Sequence, residues 1–196
     1  MAVFQALGVN TNTKRQKEDF YSTDPKAVED LIRMLEKNNI EIPYQIVESS
    51  VGMGHIAKVF EDRGYHVTGY DIVDRGWHDT IVADYLLVDR LPECCNNGCM
   101  IVENTPFKHS VEFISHGMDL INNGDYICSL QKIQFLESER RKEFFEKYPP
   151  KYVCVFSKRT NTYRDGNMDK YKSSTMCFAW YVFQKGYTGD TILKWI

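Results

Sequence analysis

The chain has 196 residues, of which 43% are hydrophobic, and its 24 basic and 27 acidic side chains give a formal net charge of −3. A chain of this length is most simply one domain, and it has enough apolar residues to form a core without disulfide or metal cross-links. The balanced charge excludes a protein that coats nucleic acid by bulk attraction, but not one with a local basic patch. The sequence shows neither a signal-peptide pattern nor a long apolar span, so we expect a cytoplasmic protein with reduced cysteines and no membrane contact.

The predicted elements alternate between strands and helices. Residues 1–17 are predicted to form a loose arm, and residues 18–196 a single domain. In chain order, the patterns predict a helix from Pro25 to Asn38-Asn39, a strand at 45–48, a helix at 56–63, strands at 66–71, 81–82 and 100–102, a helix at 111–121, a strand at 126–130, a helix at 135–148 and strands at 153–156, 176–183 and 192–196. The polar segment 157–174 is predicted to be a loop. This order predicts an α/β fold with a doubly wound, mostly parallel Rossmann-like sheet, to which the late strands add an antiparallel edge.

The six cysteines do not form a metal-site pattern. Cys94, Cys95 and Cys99 lie close in sequence, but no second Cys-x-x-Cys or histidine pair completes a zinc site. The other three lie in apolar, strand-like segments, where buried free thiols are usual. We therefore expect free thiols and no metal.

The segment 46–57, IVESSVGMGHIA, has the pattern of a strand, a glycine-rich turn and a helix. Its Gly-x-Gly-x-x-Ala spacing from Gly52 matches dinucleotide-binding turns, and Asp71 ends the next predicted strand, where an acid would accept ribose hydroxyls. However, Glu48 stands just before the turn, and a carboxylate disfavours a pyrophosphate at the helix N-terminus. S-adenosylmethionine has an ammonium group that Glu48 would attract, and its ribose would still need Asp71. A dinucleotide, and a tight turn without any ligand, are the alternatives left open.

The second informative segment, 101–108, is the end of an apolar strand followed by the sequence NTPF at 104–107. Ligands of open α/β sheets bind at the carboxyl ends of the strands, so Glu48, Asp71, Asn104 and Phe107 are expected to converge on one cleft. Taken alone, NTPF would be an ordinary proline turn.

Together these motifs resemble those of class I S-adenosylmethionine-dependent DNA methyltransferases that methylate amino groups. More narrowly, the chain resembles small phage- and prophage-encoded adenine N6-methyltransferase-like proteins. In that family the NTPF position carries Asn/Asp-Pro-Pro-Phe/Tyr. The segment 21–25 resembles the threonine–proline segment before the first helix, and 83–85 resembles the Asp-Phe pair that reads the cofactor adenine. Further matches occur at 134–141, 155–159 and 179–183, so the resemblance covers residues 18–196.

The resemblance implies S-adenosylmethionine as the cofactor. The residues that it assigns to cofactor binding are Thr23, Glu48, Ser50, Gly52, Gly54, Asp71, Ile72, Asp84 and Tyr85.

The chemistry implied for residues 104–107 is methyl transfer to the exocyclic amine of a flipped base, most simply adenine N6. Such an amine is a poor nucleophile because its lone pair is delocalised into the ring, and two hydrogen-bond acceptors would draw the nitrogen towards tetrahedral geometry. The side-chain carbonyl of Asn104 and the backbone carbonyl of Thr105, which Pro106 biases towards an extended conformation, would be these acceptors. Phe107 would stack on the flipped base. Catalysis is then mainly the in-line positioning of nitrogen, methyl and sulfur.

Two departures from the family pattern motivate alternative functions. Thr105 replaces the first family proline, and Ser49 replaces the usual proline of the cofactor loop, which residues 48–54 resemble. The first alternative is therefore a catalytically weak or silent module that binds the cofactor or DNA. A dinucleotide-dependent oxidoreductase is the second, although no Ser-Tyr-x-x-x-Lys proton relay accompanies the glycine turn. The target base, its flanking sequence and the choice between DNA and RNA stay open.

Almost no sequence remains for a separate target-recognition domain. The candidate DNA contacts are Lys108, Lys158, Arg159 and Arg164. The polar segment interleaves basic residues with tyrosines, which suits phosphate contacts and base stacking, although a solvated loop explains it equally well. A homodimer or a partner subunit would enlarge so small a DNA-binding surface.

Overall fold

The computed structural model describes residues 21–158, 160, 162–164 and 176–196, so the predicted arm at 1–17 lies outside it. This part of the chain contains ten strands and four α-helices. The strands are β1 (Tyr21–Thr23), β2 (Gln45–Glu48), β3 (His66–Asp71), β4 (Thr80–Val82), β5 (Met100–Glu103), β6 (Tyr126–Lys132), β7 (Tyr152–Val155), β8 (Thr162–Arg164), β9 (Phe178–Gln184) and β10 (Ile192–Trp195). The helices are α1 (Pro25–Lys37), α2 (His55–Glu61), α3 (Ser110–Leu120) and α4 (Lys142–Lys147).

Eight of the strands form one sheet in the order β10-β7-β9-β6-β5-β2-β3-β4. Neighbouring strands are parallel except at β9, which runs against both β6 and β7. The predicted doubly wound, mostly parallel sheet is therefore confirmed, and its antiparallel part does come from the late strands. The reversed strand is not at the edge, however, because β7 and β10 lie outside it and run with the majority.

Helices cover both faces of this sheet. α1 and α2 pack against one set of buried strand residues, which includes Met100 and Trp180, and α3 and α4 pack against the set on the other face. α1 begins at Pro25 as predicted, and the Asp24 side chain accepts a hydrogen bond from the Lys26 amide at 2.9 Å. The predicted apolar stripe of α1 is buried and consists of Val28, Leu31, Ile32 and Leu35. No helix within the described ranges is long and apolar enough to cross a membrane.

The main error among the predicted elements is the helix at 135–148. There the chain forms two 3-10 turns, Ile133–Leu136 and Glu139–Arg141, before the short helix α4. Ser138 is extended between the two turns (φ 176°, ψ 129°), and the Arg141 side chain donates to the backbone carbonyl of Glu137 at 2.7 Å. The extended residue interrupts the helical hydrogen bonds, so only the last part of the predicted helix forms.

A second, two-stranded sheet joins the first described residues to the segment predicted to be a polar loop. β1 and β8 are antiparallel, and the paired residues are Tyr21 with Arg164, Ser22 with Tyr163 and Thr23 with Thr162. A three-residue strand in such a ribbon has no apolar alternation long enough to detect, so the sequence pattern does not predict it.

Candidate active site

A cleft opens at the carboxyl ends of β2, β3, β4 and β5, on both sides of the point between β2 and β5 where the strand order reverses. Ligands bind at this point in doubly wound sheets. The cleft contains about 700 Å³ of empty space, including its mouth. Nine residues with predicted roles line it: Thr23, Glu48, Ser50, Asp71, Ile72, Asp84, Tyr85, Asn104 and Pro106.

Glu48 ends β2 with its carboxylate at the N-terminus of α2. The residue is 2% exposed, and Oε2 accepts a hydrogen bond from the Ala57 amide at 3.0 Å. Burial raises the pKa of Glu48 well above its ordinary value, the Ala57 bond lowers it, and the nearby acids Asp71 and Glu61 raise it further. The carboxylate therefore occupies the helix N-terminus at which a pyrophosphate would bind, and it is a buried acid that a cation would stabilise.

Asp71 holds the glycine turn at the end of β3. Its Oδ2 accepts a hydrogen bond from the Gly52 amide at 2.9 Å, and its Oδ1 accepts one from the Val73 amide at 3.0 Å. The Nε atom of Arg75 lies 3.9 Å from the same Oδ1. Gly52 does not itself line the cleft, but its amide holds the carboxylate of Asp71, which does.

Gly54 is required by packing behind the turn. Its backbone is left-handed (φ 75°), and a Cβ atom at this position would overlap the ring of Trp77. Trp77 is 2% exposed and also lies against Gly69, where a Cβ would come too close to the same ring. Gly54 does not line the cleft. Its small size therefore accommodates an internal side chain.

The wall after β4 combines a carboxylate with apolar surface. Asp84 is exposed, and its Oδ1 accepts a hydrogen bond from the Leu86 amide at 3.0 Å. Tyr85 is 1% exposed, and its ring stacks on Phe113 with the centroids 5.7 Å apart. Ile72, which is 59% exposed, also lines the cleft. Such a wall suits a flat ring that carries an amino group.

Asn104 is held by contacts with β1 and with the loop that follows β2. Its Nδ2 donates to the Thr23 hydroxyl at 3.1 Å, and its backbone carbonyl accepts a hydrogen bond from the Ser50 hydroxyl at 3.3 Å. Since the amide nitrogen faces Thr23, the amide oxygen is directed away from it. Thr105 is 2% exposed, and its hydroxyl has no hydrogen-bond partner within the described part of the chain.

Contrary to the prediction, Phe107 does not join Glu48, Asp71 and Asn104 among the residues that line the cleft. Its half-buried ring lies 5.8 Å from the ring of Phe178, and the Nζ atom of Lys132 lies 4.5 Å from its centroid. These partners belong to β9 and β6, so Phe107 lies beyond Pro106, on the side away from β3 and β4.

The predicted DNA contacts are only partly described. Lys108 and Lys158 are exposed, whereas Arg159 lies outside the described residues. For Arg164 only the backbone position in β8 is described. Because β8 pairs with β1, and Thr23 of β1 lines the cleft, part of the polar segment runs beside the cleft.

Glu103, directly before Asn104, is fully buried and belongs to no predicted motif. Its Oε2 accepts a hydrogen bond from the Ser49 hydroxyl at 2.6 Å, and its Oε1 accepts one from the Ser129 hydroxyl at 2.9 Å. Burial raises the pKa of Glu103 to about 7, although the two hydroxyls lower it. The signal available in the sequence was an acid at the end of the apolar run MIVE, where a charge is unusual.

Other lining residues had no predicted role. They are Ser22, Ser49, Val51, His55, Ile56, Arg75, Ala83 and Phe113. Burial, followed by the charge of Lys58, lowers the pKa of His55, which favours the neutral imidazole.

Three carboxylates and one guanidinium line the described cleft, so the electrostatic field in the cleft favours a cationic ligand. In the same described ranges, no group of three or more His, Cys, Asp or Glu side chains could hold a metal ion.

No family model and no curated protein matches the sequence. Solved structures do match the fold. A proposed class I S-adenosylmethionine-dependent methyltransferase from Listeria monocytogenes is 13% identical with a TM-score of 0.62, and the match covers 98% of this chain and 69% of that protein. A proposed RNA methyltransferase from Pyrococcus horikoshii is 13% identical with a TM-score of 0.59, and the match covers 92% of this chain and 96% of that one.

A third match is the modification subunit of a proposed type I restriction enzyme from Vibrio vulnificus. It is 12% identical with a TM-score of 0.58, and this chain, covered to 98%, spans half of its length. At such identities the matches establish the fold. The chain has the Rossmann-like fold of class I methyltransferases, as predicted.

Proposed function

We propose that this chain is an S-adenosylmethionine-dependent methyltransferase that methylates the exocyclic amine of a flipped DNA base, in the first instance adenine N6. The observation that carries the proposal is the position of Glu48, a buried carboxylate at the N-terminus of α2 in the same cleft as Asn104. A cofactor with an ammonium and a sulfonium would stabilise this acid, whereas a pyrophosphate would meet a like charge at the helix N-terminus.

The other cleft residues suit the remaining parts of this cofactor. The second carboxylate oxygen of Glu48 would receive the ammonium group. Each oxygen of Asp71 accepts one backbone amide and keeps a lone pair for a ribose hydroxyl. Asp84 would accept a hydrogen bond from the amino group of the cofactor adenine. The adenine ring would lie between the side chains of Ile72 and Tyr85. The donor set therefore fits a cationic nucleoside better than a dinucleotide.

The turn at 104–107 supports transfer to an amine. The bound cofactor supplies a methyl group carried on a positively charged sulfur. The Oδ1 atom of Asn104 and the backbone carbonyl of Thr105 would accept the two N–H groups of the target amine and draw its lone pair out of the ring. The amine nitrogen forms its bond to the methyl carbon as the carbon–sulfur bond breaks, and the extra proton then leaves the nitrogen for solvent. No strong base is needed, because the proton is lost after the attack.

A nucleic-acid substrate is supported by the surroundings of Phe107. Its ring lies beyond Pro106 and outside the cofactor cleft, where a flipped base could stack. Lys132, on the ring, and the exposed Lys108 add positive charge that suits a phosphate. The restriction-modification neighbour favours DNA, and the neighbour described as an RNA methyltransferase makes RNA the competing substrate.

The cofactor is tested by calorimetric titration of the purified chain with S-adenosylmethionine and, separately, with NAD and NADP. We expect S-adenosylmethionine alone to bind, and Glu48→Ala to weaken this binding. Glu36→Ala, which removes an exposed acid on α1, is the matched control and should leave it unchanged. Binding of a dinucleotide alone would contradict the proposal.

The reaction is tested with labelled cofactor and unmethylated DNA, beside RNA of the same sequence. The wild-type chain should label adenine in DNA, and Asn104→Ala should bind the cofactor without transferring the methyl group. Cofactor binding by the wild type without transfer to either nucleic acid would favour the silent binding module. Thr105 in place of a proline is the observation that supports that second candidate.

A further inference from the structure

A line of buried hydrogen bonds runs beneath the cleft from the cofactor loop to the start of α3. It begins with the two serine hydroxyls on Glu103, as described above. The Nε2 atom of Gln131 donates to the Ser129 hydroxyl at 2.8 Å, and the Ser110 hydroxyl donates to Oε1 of Gln131 at 2.7 Å. Ser110 also lies 3.1 Å from the backbone carbonyl of Phe107. The line therefore connects the loop beside Glu48 with both ends of the turn at 104–107.

The direction of these bonds is set by Glu103. Both of its oxygens accept, and each donor further along the line points towards it. A neutral carboxyl group would have to donate one of the two bonds itself. The Ser49 or Ser129 proton on that side would then need a different acceptor, and Ser129 already accepts from Gln131. Two serine hydroxyls that both donate to Glu103 are therefore the arrangement expected of the ionised carboxylate.

The charge of Glu103 shifts the pKa of few other described groups. Its charge raises the pKa of the Tyr85 phenol and of the Cys128 thiol, after burial, which is the larger cause for both. Both groups therefore stay neutral near pH 7. On β2, Glu48 is the other carboxylate near Ser49, and its pKa is raised by burial, Asp71 and Glu61. Burial thus raises the pKa of two described carboxylates, that of Glu103 to about 7 and that of Glu48, whereas it lowers the pKa of His55, which also lines the cleft.

We propose that Glu103 is a positioning residue for methyl transfer, whose ionised carboxylate fixes Ser49 of the cofactor loop relative to Ser129 and the turn at 104–107. This inference rests on the proposed function. The cofactor lies on the loop that contains Ser49, and the amine is held by the turn, so the hydrogen bonds to Glu103 set the distance between the reacting atoms. Glu103 does not line the cleft, and its effect is accordingly on transfer and much less on cofactor affinity.

Protonation of Glu103 changes this link. At low pH the neutral carboxyl donates to one of the two serines, whose own proton must turn to a different acceptor, so the arrangement in which both serines donate to Glu103 is lost. In-line transfer is sensitive to displacements of about 1 Å, so the loss lowers the rate even though both ligands stay bound. The rate at saturating cofactor should therefore fall as the pH decreases.

The test is the pH profile of kcat, at saturating cofactor and DNA between about pH 6 and 9, for the wild type and two variants. In Glu103→Gln, kcat should fall about tenfold and lose its decline at low pH. In Ser129→Ala, which removes a donor to the carboxylate, the decline should move to higher pH by about half a unit or more. The exposed Glu112→Gln, on the first turn of α3, is the matched control and should follow the wild type.

Cofactor affinity is measured in parallel by calorimetry and should stay within about threefold for every variant. If Glu103→Gln kept the wild-type pH profile of kcat, or if the low-pH decline of kcat did not shift in Ser129→Ala, the role proposed for Glu103 would be overturned. The proposed function would then be unaffected. A loss of affinity equal to the loss of rate would overturn the role of Glu103 too, since a general defect of the fold has that signature. Absence of cofactor binding or of transfer in the wild type would instead contradict the proposed function, and this inference with it.

Discussion

The amide nitrogen of Asn104 donates a hydrogen bond to the hydroxyl of Thr23 across 3.1 Å, although the two residues are 81 positions apart in the chain. The bond holds the side chain of Asn104 against Thr23, with the amide nitrogen towards the hydroxyl and the amide oxygen directed away from it. The same threonine belongs to β1, which is paired with β8 of the polar segment. The orientation of the proposed catalytic amide is therefore linked to a segment that sequence patterns assign only to a loop.

Removal of the Thr23 hydroxyl should impair transfer. In Thr23→Val the side-chain volume is kept and the bond to Asn104 is lost, so we expect kcat at saturating cofactor to fall about tenfold, the equivalent of one hydrogen bond. Thr23→Ser retains the hydroxyl and should keep most of the rate. Single-turnover transfer to DNA measures both. Equal rates in the two variants would show that the hydroxyl does not orient the amide.

Cofactor affinity should depend on pH through Glu48. Its pKa is raised by burial, and a cationic ligand favours the ionised form. Binding should therefore weaken as the pH falls through this raised pKa, and strengthen as the pH rises. Glu48→Gln should abolish the dependence and reduce affinity by about 30-fold or more, because a buried charge pair is lost. Calorimetric titrations at several pH values give both results, and a pH-independent wild type would exclude Glu48 as the partner of the ammonium.

Gly54→Ala should destabilise the fold strongly. The added methyl would overlap the buried Trp77 ring at a left-handed backbone position, and we expect a loss of about 3 kcal/mol of unfolding free energy. Gly64 is the matched control, because it also has positive φ (84°) but a Cβ there meets nothing within 4 Å. Gly64→Ala should cost only about 1 kcal/mol, the backbone part of the effect. Urea unfolding compares the two, and similar losses would mean that Trp77 moves aside at little cost.

Glu103 should make the folded chain less stable at higher pH. Its pKa is about 7 when folded and 4.5 ordinarily, so between these values the unfolded chain binds fewer protons and stability falls as the pH rises. The free energy of unfolding falls by about 3 kcal/mol in all. The fall is complete above the pKa of Glu103 in the folded chain and absent below its pKa in the unfolded chain. Glu103→Gln should lack it. The unfolding free energies of the wild type and of Glu103→Gln are compared at about pH 5 and at about pH 8.5. Because Glu48 is present in both proteins, a change in their difference between the two pH values is due to Glu103. A difference that is the same at both pH values would count against a buried, titrating carboxylate.

The parts of the site that can be predicted from sequence are those that follow strand ends. Glu48, Asp71 and Asn104 come directly after or at the end of apolar runs, and parallel strands bring their carboxyl ends to one edge, so the cleft follows from the order of elements. The contacts of Gly52 and Gly54 could not be predicted in the same way. Their spacing matches a nucleotide pattern, but it shows neither the bond from Gly52 to Asp71 nor the space that Gly54 leaves for Trp77.

The contacts of Glu103 are harder to predict because they depend on register. Glu103 faces Ser129 as a cross-strand pair of β5 and β6, and a shift of one residue would turn either side chain to the opposite face of the sheet. Ser49 reaches the same carboxylate from a loop. Neither partner is marked by local sequence, and the network is found only once the strands are aligned.

The order of strands also bears on how the chain folds during its synthesis. β9 is inserted between β6 and β7, but residues 178–184 are made after both of them. Until then β7 has no partner in the large sheet within the described chain, and the outer edge of β6 is exposed. Exposed strand edges pair readily with other chains, so the nascent protein is most prone to aggregation while residues 178–184 are still inside the ribosome.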